Sequence, residues 1–327
     1  MSDPKLPDEL LQAIQEKLKA VPRHILAAAA KEISAKYRNQ EEKKQSPLLS
    51  TKAHHLAYLA VRMPATYAAV VAVLEATAKQ MPDLAPNSLA DLGAGPGTAS
   101  FACLETFPSL NQISLYESDP QWIEIGKTLF KNAPAQWSQI DLSHPISLPP
   151  NDLTLLSYAL GELTYEAADA LIASIWKATN QILIVIEPGT PRGFSYIRRA
   201  REQLIADGAF LVAPCPHLLP CPMQKPDWCH FATRLPRTEM HLLVKEVDRG
   251  FEDEKFSYIV ASKTPVSLPY ARVLRHPEHH GGHTRLVLCT PGGIKQETYS
   301  RKHGACFKQI SKVKWGADLT VEPSKQA

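Results

Sequence analysis

Between residues 88 and 207 the chain alternates between short apolar runs and amphipathic segments. Residues 182–186 are apolar throughout, as expected for a strand that is buried on both faces of a parallel sheet. Alternating strands and helices at this pitch are typical of a sheet with helices on both faces. The predicted strands are 88–92, 112–117, 136–142, 152–160 and 181–187, and the predicted helices are 97–107, 119–131, 164–179 and 190–207.

A glycine-rich segment follows the first predicted strand, at the point where an open α/β sheet binds its ligand. Asp91 is followed by Gly93, Gly95 and Gly97 in the spacing G-x-G-x-G, whereas dinucleotide enzymes use G-x-G-x-x-G. Gly93 and Gly95 would let the backbone approach the methionine end of S-adenosylmethionine, and Gly97 would let the helix lie close to the strand. The Asp91 carboxylate would accept a hydrogen bond from the cofactor ammonium, directly or through water.

Two further carboxylates follow the next predicted strands. Glu117 stands 26 residues after Asp91, which is one β-α-β unit, and a carboxylate there can accept both ribose hydroxyls of the cofactor. Asp141 follows the third strand, where it would meet the adenine amino group. The sequence therefore predicts a class I S-adenosylmethionine-dependent methyltransferase fold. Tyr158 and Glu162 follow the fourth strand and can contact an acceptor, but packing and capping explain them equally well, and we assign no catalytic residue.

The chain is expected to have three parts. Residues 1–80 are predicted to be helical, with a break at Pro64 and a polar connection at 39–47. Residues 81–263 would form the Rossmann-like domain, including a cysteine-rich insertion at 212–250. Residues 264–327 would form a small β domain, either a barrel of the OB type or a meander. Its strands are expected near 271–275, 283–290, 294–301 and 306–314.

Three cysteines lie close together in a proline-rich loop. Cys215, Cys221 and Cys229 are spaced C-x5-C-x7-C, and four prolines fall within residues 214–222. Structural zinc sites use closer pairs, so the longer spacing favours a [4Fe–4S] cluster, with zinc as the alternative. The residues alone leave two candidates for a fourth thiolate, Cys289 and Cys306. Cys103 is expected in the core of the first helix of the sheet domain.

The charge of the chain is unevenly distributed. The net charge is +3, but residues 265–327 carry ten Lys or Arg against four Asp or Glu, a local +6. A basic segment on a near-neutral body indicates a polyanionic partner, or a solvated basic face. The chain shows neither a membrane span nor a secretion signal, and we expect a monomer in a reducing cytoplasm.

Several motifs are similar to those of one family. Residues 215–222, 227–231, 234–237 and 251–258 resemble the methyltransferase-like assembly factors of the mitochondrial small ribosomal subunit, a family that also has bacterial members. The resemblance extends over about 50–316. It implies a [4Fe–4S] cluster held by Cys215, Cys221, Cys229 and Cys289 and binding to small-subunit rRNA. Because the N-terminus resembles neither a secretion signal nor a transit peptide, we expect a bacterial, cytoplasmic member of the family. The resemblance leaves open whether the protein methylates rRNA or acts as a non-catalytic assembly factor.

Overall fold

The computed structural model describes residues 4–38, 51–131, 133–245 and 248–320. The polar connection predicted at 39–47 lies outside these residues. In the described part of residues 1–80, four helices precede the first strand, where the sequence predicts a helical region without fixing the number of helices. They are α1 (Asp8–Lys19), α2 (Arg23–Arg38), α3 (Lys52–Val61) and α4 (Met63–Gln80).

Helices α3 and α4 meet at Arg62, where the chain bends by 48°. Pro64 lies in the first turn of α4, where a helix has no use for the amide hydrogen that proline lacks. The predicted break at Pro64 is therefore confirmed. No single helix in the described ranges is long and apolar enough to cross a membrane, although the bent pair of α3 and α4 together has the length and composition to do so.

The central sheet has the strand order β3-β2-β1-β4-β5-β8-β6, with β7 also paired to β8. Strands β1 to β5 are parallel, whereas β8 runs antiparallel to each of its three neighbours. This order, with an antiparallel strand inserted near the edge, is that of class I methyltransferases, so the predicted fold class is confirmed. The strands are β1 (Ser88–Leu92), β2 (Gln112–Glu117), β3 (Ala135–Gln139), β4 (Asn151–Ser157), β5 (Thr179–Pro188), β6 (Phe210–Ala213), β7 (Phe231–Pro236) and β8 (Phe251–Ser262).

Helices cover both faces of this sheet. Because successive side chains of a strand point to opposite faces, Ile184 and Ile186 pack on one side and Leu183 and Val185 on the other. The first face is covered by the N-terminal helices with α5 and α6, and the second by α7 and α8. The connecting helices are α5 (Thr98–Thr106), α6 (Pro120–Leu129), α7 (Tyr165–Ala178) and α8 (Pro191–Ala206).

The cysteine-rich segment leaves the sheet between β6 and β7. Residues 214–230 contain neither a helix nor a strand, as their prolines predict. After β7, the short helix α9 (Glu239–Lys245) packs against α2 and α3, and β8 then returns through the sheet. The loop is thus held at both ends by strands that pair with β8.

The C-terminal residues form a second, five-stranded antiparallel sheet with its own apolar core. The strand predicted at 306–314 is wrong, because the chain forms α10 (Gly304–Ile310) there. Phe307 and Ile310 recur at helical spacing and pack on that core. An OB-type barrel is not confirmed by these strand pairings. The strands are β9 (Ala271–Val273), β10 (Glu278–His279), β11 (His283–Thr290), β12 (Gly293–Ser300) and β13 (Asp318–Leu319).

Candidate functional site

The glycine-rich segment forms the turn between β1 and α5. Gly93, Gly95 and Gly97 have φ values of +65°, +54° and +84°, a region that residues with a side chain rarely adopt. A Cβ atom on Gly93 would lie 2.6 Å from Ala159 Cβ, and one on Gly97 would lie 2.3 Å from Phe130 Cε2. A Cβ on Gly95 would meet nothing within 4 Å. Gly93 and Gly97 thus permit close packing, whereas Gly95 faces open space.

Glu117, at the end of β2, is engaged by backbone amides. Its Oε2 accepts a hydrogen bond from Gly95 N (2.7 Å), and its Oε1 accepts bonds from Ser118 N (2.8 Å) and Asp119 N (2.9 Å). A carboxylate offers about four acceptor positions, so one position on Oε2 remains for a ligand donor. The expected pair of bonds to both ribose hydroxyls would therefore require one amide to move.

Asp91 lies beneath the glycine turn and is completely buried. Its Oδ2 accepts a hydrogen bond from Ser100 Oγ (2.7 Å), but its Oδ1 has no partner among the described residues. Burial raises the pKa of Asp91 to about 7, because the charged form loses its hydration. An acceptor buried in this way fits a cationic donor above it.

A cavity of about 180 Å³ opens above the turn. Among the predicted residues, Gly93, Gly95, Glu117 and Asp141 line it, whereas Asp91 and Gly97 do not. The amide of Ser143 donates to Asp141 Oδ1 (2.9 Å) and holds the pKa of that carboxyl below its usual value. The cavity is thus bounded by the ends of β1, β2, β3 and β4.

Sequence reasoning missed part of this cavity wall. Tyr58 and Thr66, from α3 and α4, line the cavity together with Trp122 of α6. Their position depends on the bend at Arg62 and on the packing of α3 against α6, which leave no local signal in the sequence. The helices that cover the sheet therefore also enclose the candidate ligand site.

The segment after β4 is held by charged groups from other strands. Tyr158 has a φ of +58°, a strained conformation for a residue with a large side chain. Its hydroxyl donates to Glu254 Oε1 (3.2 Å), and Arg62 binds both oxygens of Glu254 at 3.2 and 3.0 Å. Glu162 is open to the cavity, yet desolvation and the nearby Glu117 carboxylate raise its pKa to about 7. This segment is a rigid wall with one titratable carboxyl.

The four cysteines implied by the resemblance line one second cavity. Cys215, Cys221 and Cys229 come from the loop between β6 and β7, and Cys289 comes from β11. Cys103 is buried in the core on α5, as expected, and Cys306 lies on α10 in the C-terminal core. The four predicted cysteines therefore border one cavity, which by itself does not show a metal site.

The thiols of this second cavity lie in a poorly hydrated environment. Burial raises the pKa of Cys289 to about 12 and raises that of Cys229 well above its usual value. Arg201 Nε lies 3.3 Å from Cys215 Sγ, and His217 Nε2 lies 3.6 Å from Cys289 Sγ. In the described ranges, no three His, Cys, Asp or Glu side chains are grouped so that they could hold a metal ion.

The C-terminal basic segment is only partly available to a partner. Arg272 is buried, and Arg275 donates to the Asp227 carboxylate and to Trp228 O (3.2 Å), so neither lies free on the basic surface. Tyr299 is fully buried, which makes it a core residue. Up to residue 320, where the described part of the segment ends, the exposed Lys and Arg residues are Arg285, Lys295, Arg301, Lys302, Lys308, Lys312 and Lys314.

Several solved methyltransferase structures are similar to parts of this chain. Solved structures that match include a magnesium protoporphyrin IX methyltransferase from Synechocystis with bound S-adenosylhomocysteine, at 10% identity and a TM-score of 0.41, covering 72% of this chain and 100% of that one. Another is a precorrin-6y C5,15-methyltransferase from Geobacter metallireducens, at 17% identity and a TM-score of 0.37, covering 60% and 87%.

The sequence relatives are more informative about ancestry. The human mitochondrial ribosome assembly protein METTL17 is 24% identical over 299 residues, which cover 83% of this chain and 63% of that protein. The mitochondrial Rsm22-cox11 tandem protein 2 of Schizosaccharomyces pombe is 24% identical over 344 residues, covering 87% and 45%. This chain thus spans less than two thirds of either relative. The model of the family described as mitochondrial small ribosomal subunit Rsm22 matches residues 52–320, and the chain belongs to that family.

Proposed function

We propose that this protein binds S-adenosylmethionine and a [4Fe–4S] cluster and acts on, or together with, small-subunit rRNA during ribosome assembly. The observation that carries the proposal is the convergence of Cys215, Cys221, Cys229 and Cys289 on one cavity in a chain of the Rsm22 family. The family assignment supports a small-subunit partner, and the two cavities support the two cofactors.

The first cavity has the features that S-adenosylmethionine requires. Gly95 leaves room for a ligand, and Glu117 retains one position for a ribose hydroxyl. Asp91 does not line the cavity, so its unpartnered buried oxygen would accept from the ammonium through a water molecule or after a small shift of the turn. Asp141 would accept from the adenine amino group. When bound, the cofactor would supply an electrophilic methyl group, and the segment after β4 would face its acceptor.

The composition of the second cavity favours a thiolate-ligated metal centre, although the side chains as placed are not grouped around a single ion position. Four thiols line it, and among the described residues no Asp or Glu does, so hard oxygen-bound cations are disfavoured. The cysteine spacing favours the iron–sulfur cluster, and zinc remains the alternative. Because burial keeps the pKa values of Cys229 and Cys289 high, metal binding would release protons from these thiols.

A non-catalytic assembly role is the second candidate. Tyr158 lines the first cavity, but its hydroxyl already donates to Glu254, and we assign no catalytic residue in the segment after β4. In this alternative, the cofactor fold serves as a scaffold or a sensor. The two candidates differ in one measurable product, a methyl group on rRNA.

The first prediction concerns Gly95. Gly95→Arg places a large side chain in the open cavity, so the affinity for S-adenosylmethionine should fall by at least ~100-fold, about 2.8 kcal/mol, in calorimetry. Gly208→Arg is the matched control, because Gly208 also has a positive φ (+81°) and open space around its Cβ position. Unchanged affinity in Gly95→Arg would contradict the cofactor assignment.

The same variant separates the two candidate functions. In cells that lack the protein, rRNA should be missing one methyl group if the protein is a methyltransferase, and Gly95→Arg should fail to restore that group. If small-subunit assembly recovers fully with Gly95→Arg and no methyl group differs, the protein acts without catalysis.

The second prediction concerns Asp91. Its folded-state pKa of about 7 lies above the unfolded value of about 3.9, so Asp91 stabilises the ligand-free fold most at low pH, and this contribution is lost as the pH rises to 7. The stability of Asp91→Asn relative to wild type should therefore increase by up to about 1.4 kcal/mol per pH unit between pH 4 and 7 and then stay constant. Urea unfolding of both proteins at several pH values measures this difference, and a difference independent of pH would show that Asp91 ionises normally.

The third prediction concerns the metal ligands. Single Cys→Ser changes at 215, 221, 229 and 289 should each reduce the iron content and the broad absorption near ~400 nm of anaerobically purified protein. Cys103→Ser and Cys306→Ser are the controls, because these thiols lie in other cores. Colourless wild-type protein that contains one zinc ion would overturn the iron assignment and keep the ligands.

The fourth prediction concerns the ribosomal partner. Contacts with phosphates release counterions, so co-sedimentation with small subunits should weaken steeply with salt. The double variant Arg301→Glu/Lys302→Glu should reduce it at low salt, whereas Lys127→Glu/Lys177→Glu makes the same charge change on exposed parts of α6 and α7 and should not. Equal sedimentation of both double variants and wild type at every salt concentration would exclude the C-terminal basic surface as the contact.

A further inference from the structure

The cavity lined by the four cysteines is bordered by cations. Arg198, Arg201 and Arg272 line it, and among the described residues it has no Asp or Glu. Arg198 forms an ion pair at the surface with Glu202, at 2.9 Å. Arg201 and Arg272 are different, because only 3% and 4% of their surfaces are exposed.

Arg201 projects from α8 towards the cysteine loop. Its Nε donates to Cys215 Sγ at 3.3 Å, and its Nη2 donates to His217 O at 2.9 Å and to Leu219 O at 2.7 Å. These acceptors are a neutral thiol and two carbonyls, so none of them neutralises the guanidinium charge. The hydrogen bond to sulfur places the positive charge of Arg201 next to Cys215, a predicted metal ligand.

Arg272 reaches the same cavity from β9. Its Nε donates to Pro214 O (2.7 Å) and its Nη1 to Gly316 O (2.8 Å), while its buried Nη2 has no partner in the described part of the chain. The strand register pairs Arg272 with Cys289. The Asp318 carboxylate, which lies opposite Arg272 in the strand register, is bound by Lys79 at 2.6 Å. Despite desolvation, the Lys79 ammonium and the Arg272 charge hold the pKa of Asp318 below its usual value, but in the described part of the chain no hydrogen bond joins Asp318 to Arg272.

A guanidinium group stays protonated in proteins, so neither arginine can escape its burial by losing a proton. A buried charge without a partner costs several kcal/mol. Arg201 has no carboxylate partner among the described residues, and Asp318 offsets the charge of Arg272 only in part, because Asp318 is bound to Lys79. Beside four thiols these two guanidinium groups therefore favour an anionic occupant, and an iron–sulfur core with four thiolate ligands carries a net negative charge.

We propose that Arg201 and Arg272 form a fixed cationic shell that retains the cluster and raises its reduction potential. The inference rests on the proposed cluster. Reduction adds one electron to the cluster without making or breaking a bond, and nearby positive charge and N–H donors to sulfur stabilise the more negative, reduced form. The arginines are positioning and tuning residues, since the cysteines provide the ligands.

The test is a potentiometric titration with dithionite, followed by visible and electron paramagnetic resonance spectra, on anaerobically purified full-length protein. Arg272→Met and Arg201→Met should each make reduction at least tenfold less favourable, which is about 59 mV for a one-electron couple. Arg237→Met is the control, because this partly buried arginine pairs with Glu252 (3.1 Å) and does not line the cavity. Its potential should equal that of wild type.

If the Met variants lose the cluster, their reduction potential cannot be measured. The variants Arg201→Lys and Arg272→Lys keep the positive charge, so their iron content can then be compared with that of the Met variants. Iron content that is higher in the Lys variant than in the Met variant at the same position supports the electrostatic role. Equal iron loss in the Lys and Met variants, or iron-loaded Met variants with the wild-type potential, overturns it. Wild-type protein without iron overturns the proposed cluster and this inference together, so the two failures are distinguishable.

Discussion

The hydrogen-bond ladder of β8 is the constraint on which both cavities depend. This strand pairs with β5 along one edge and with both β6 and β7 along the other. Ala213 pairs with Val260 and Phe231 pairs with Phe256, so the chain leaves and rejoins the ladder four positions apart, about 13 Å. Residues 214–230 therefore form a loop whose two ends are fixed by strand pairing. The three cysteines in this loop are positioned by those ends, because the loop itself contains no helix or strand.

The same strand organises the side of the molecule that faces the candidate cofactor site. Glu254 lies in β8 and binds Arg62 from the junction of α3 and α4 and Tyr158 from the segment after β4. Both charged groups of this pair are largely buried, and removing one partner of a buried pair costs about 3–5 kcal/mol. The N-terminal helices are thus fastened to the sheet by a charge pair as well as by apolar packing, which explains how Tyr58 and Thr66 reach the cavity wall.

Local sequence patterns were sufficient wherever the determining contacts lie within a few residues. The bounds of β1 and β2 agree with the predicted strands, and the glycines at 93, 95 and 97 adopt the backbone angles that their spacing implies. The helix at α10 was missed because glycines and short apolar runs in a β-rich segment resemble strand and turn signals. Its helical character depends on the packing of Phe307 and Ile310 onto the C-terminal core.

The parts of the site that could not be predicted depend on pairings between distant segments. Spacing alone did not distinguish Cys289 from Cys306 as the fourth thiol, whereas the register of β11 with β9 places Cys289 opposite Arg272 at the cavity. Arg272 belongs to the basic segment 265–327, whose charge is visible in the sequence, whereas the burial of this arginine is not. The sign of a residue's charge is a local property, but the group that it faces is set by the tertiary fold.

The two cavities share one piece of supporting backbone at the end of β5. Glu187 accepts a hydrogen bond from Leu160 N (2.8 Å) and so holds the segment that borders the first cavity. Two residues later, Gly189 O accepts a bond from Trp228 Nε1 (2.9 Å), next to the predicted ligand Cys229. Burial raises the pKa of Glu187 to about 8, so near neutral pH this carboxyl is largely protonated and its anchoring bond carries little charge. Strand β5 is paired with β8 up to Pro188, so its end is fixed in the sheet. The same strand end therefore positions both the cysteine loop, through Gly189, and the segment after β4, through Glu187.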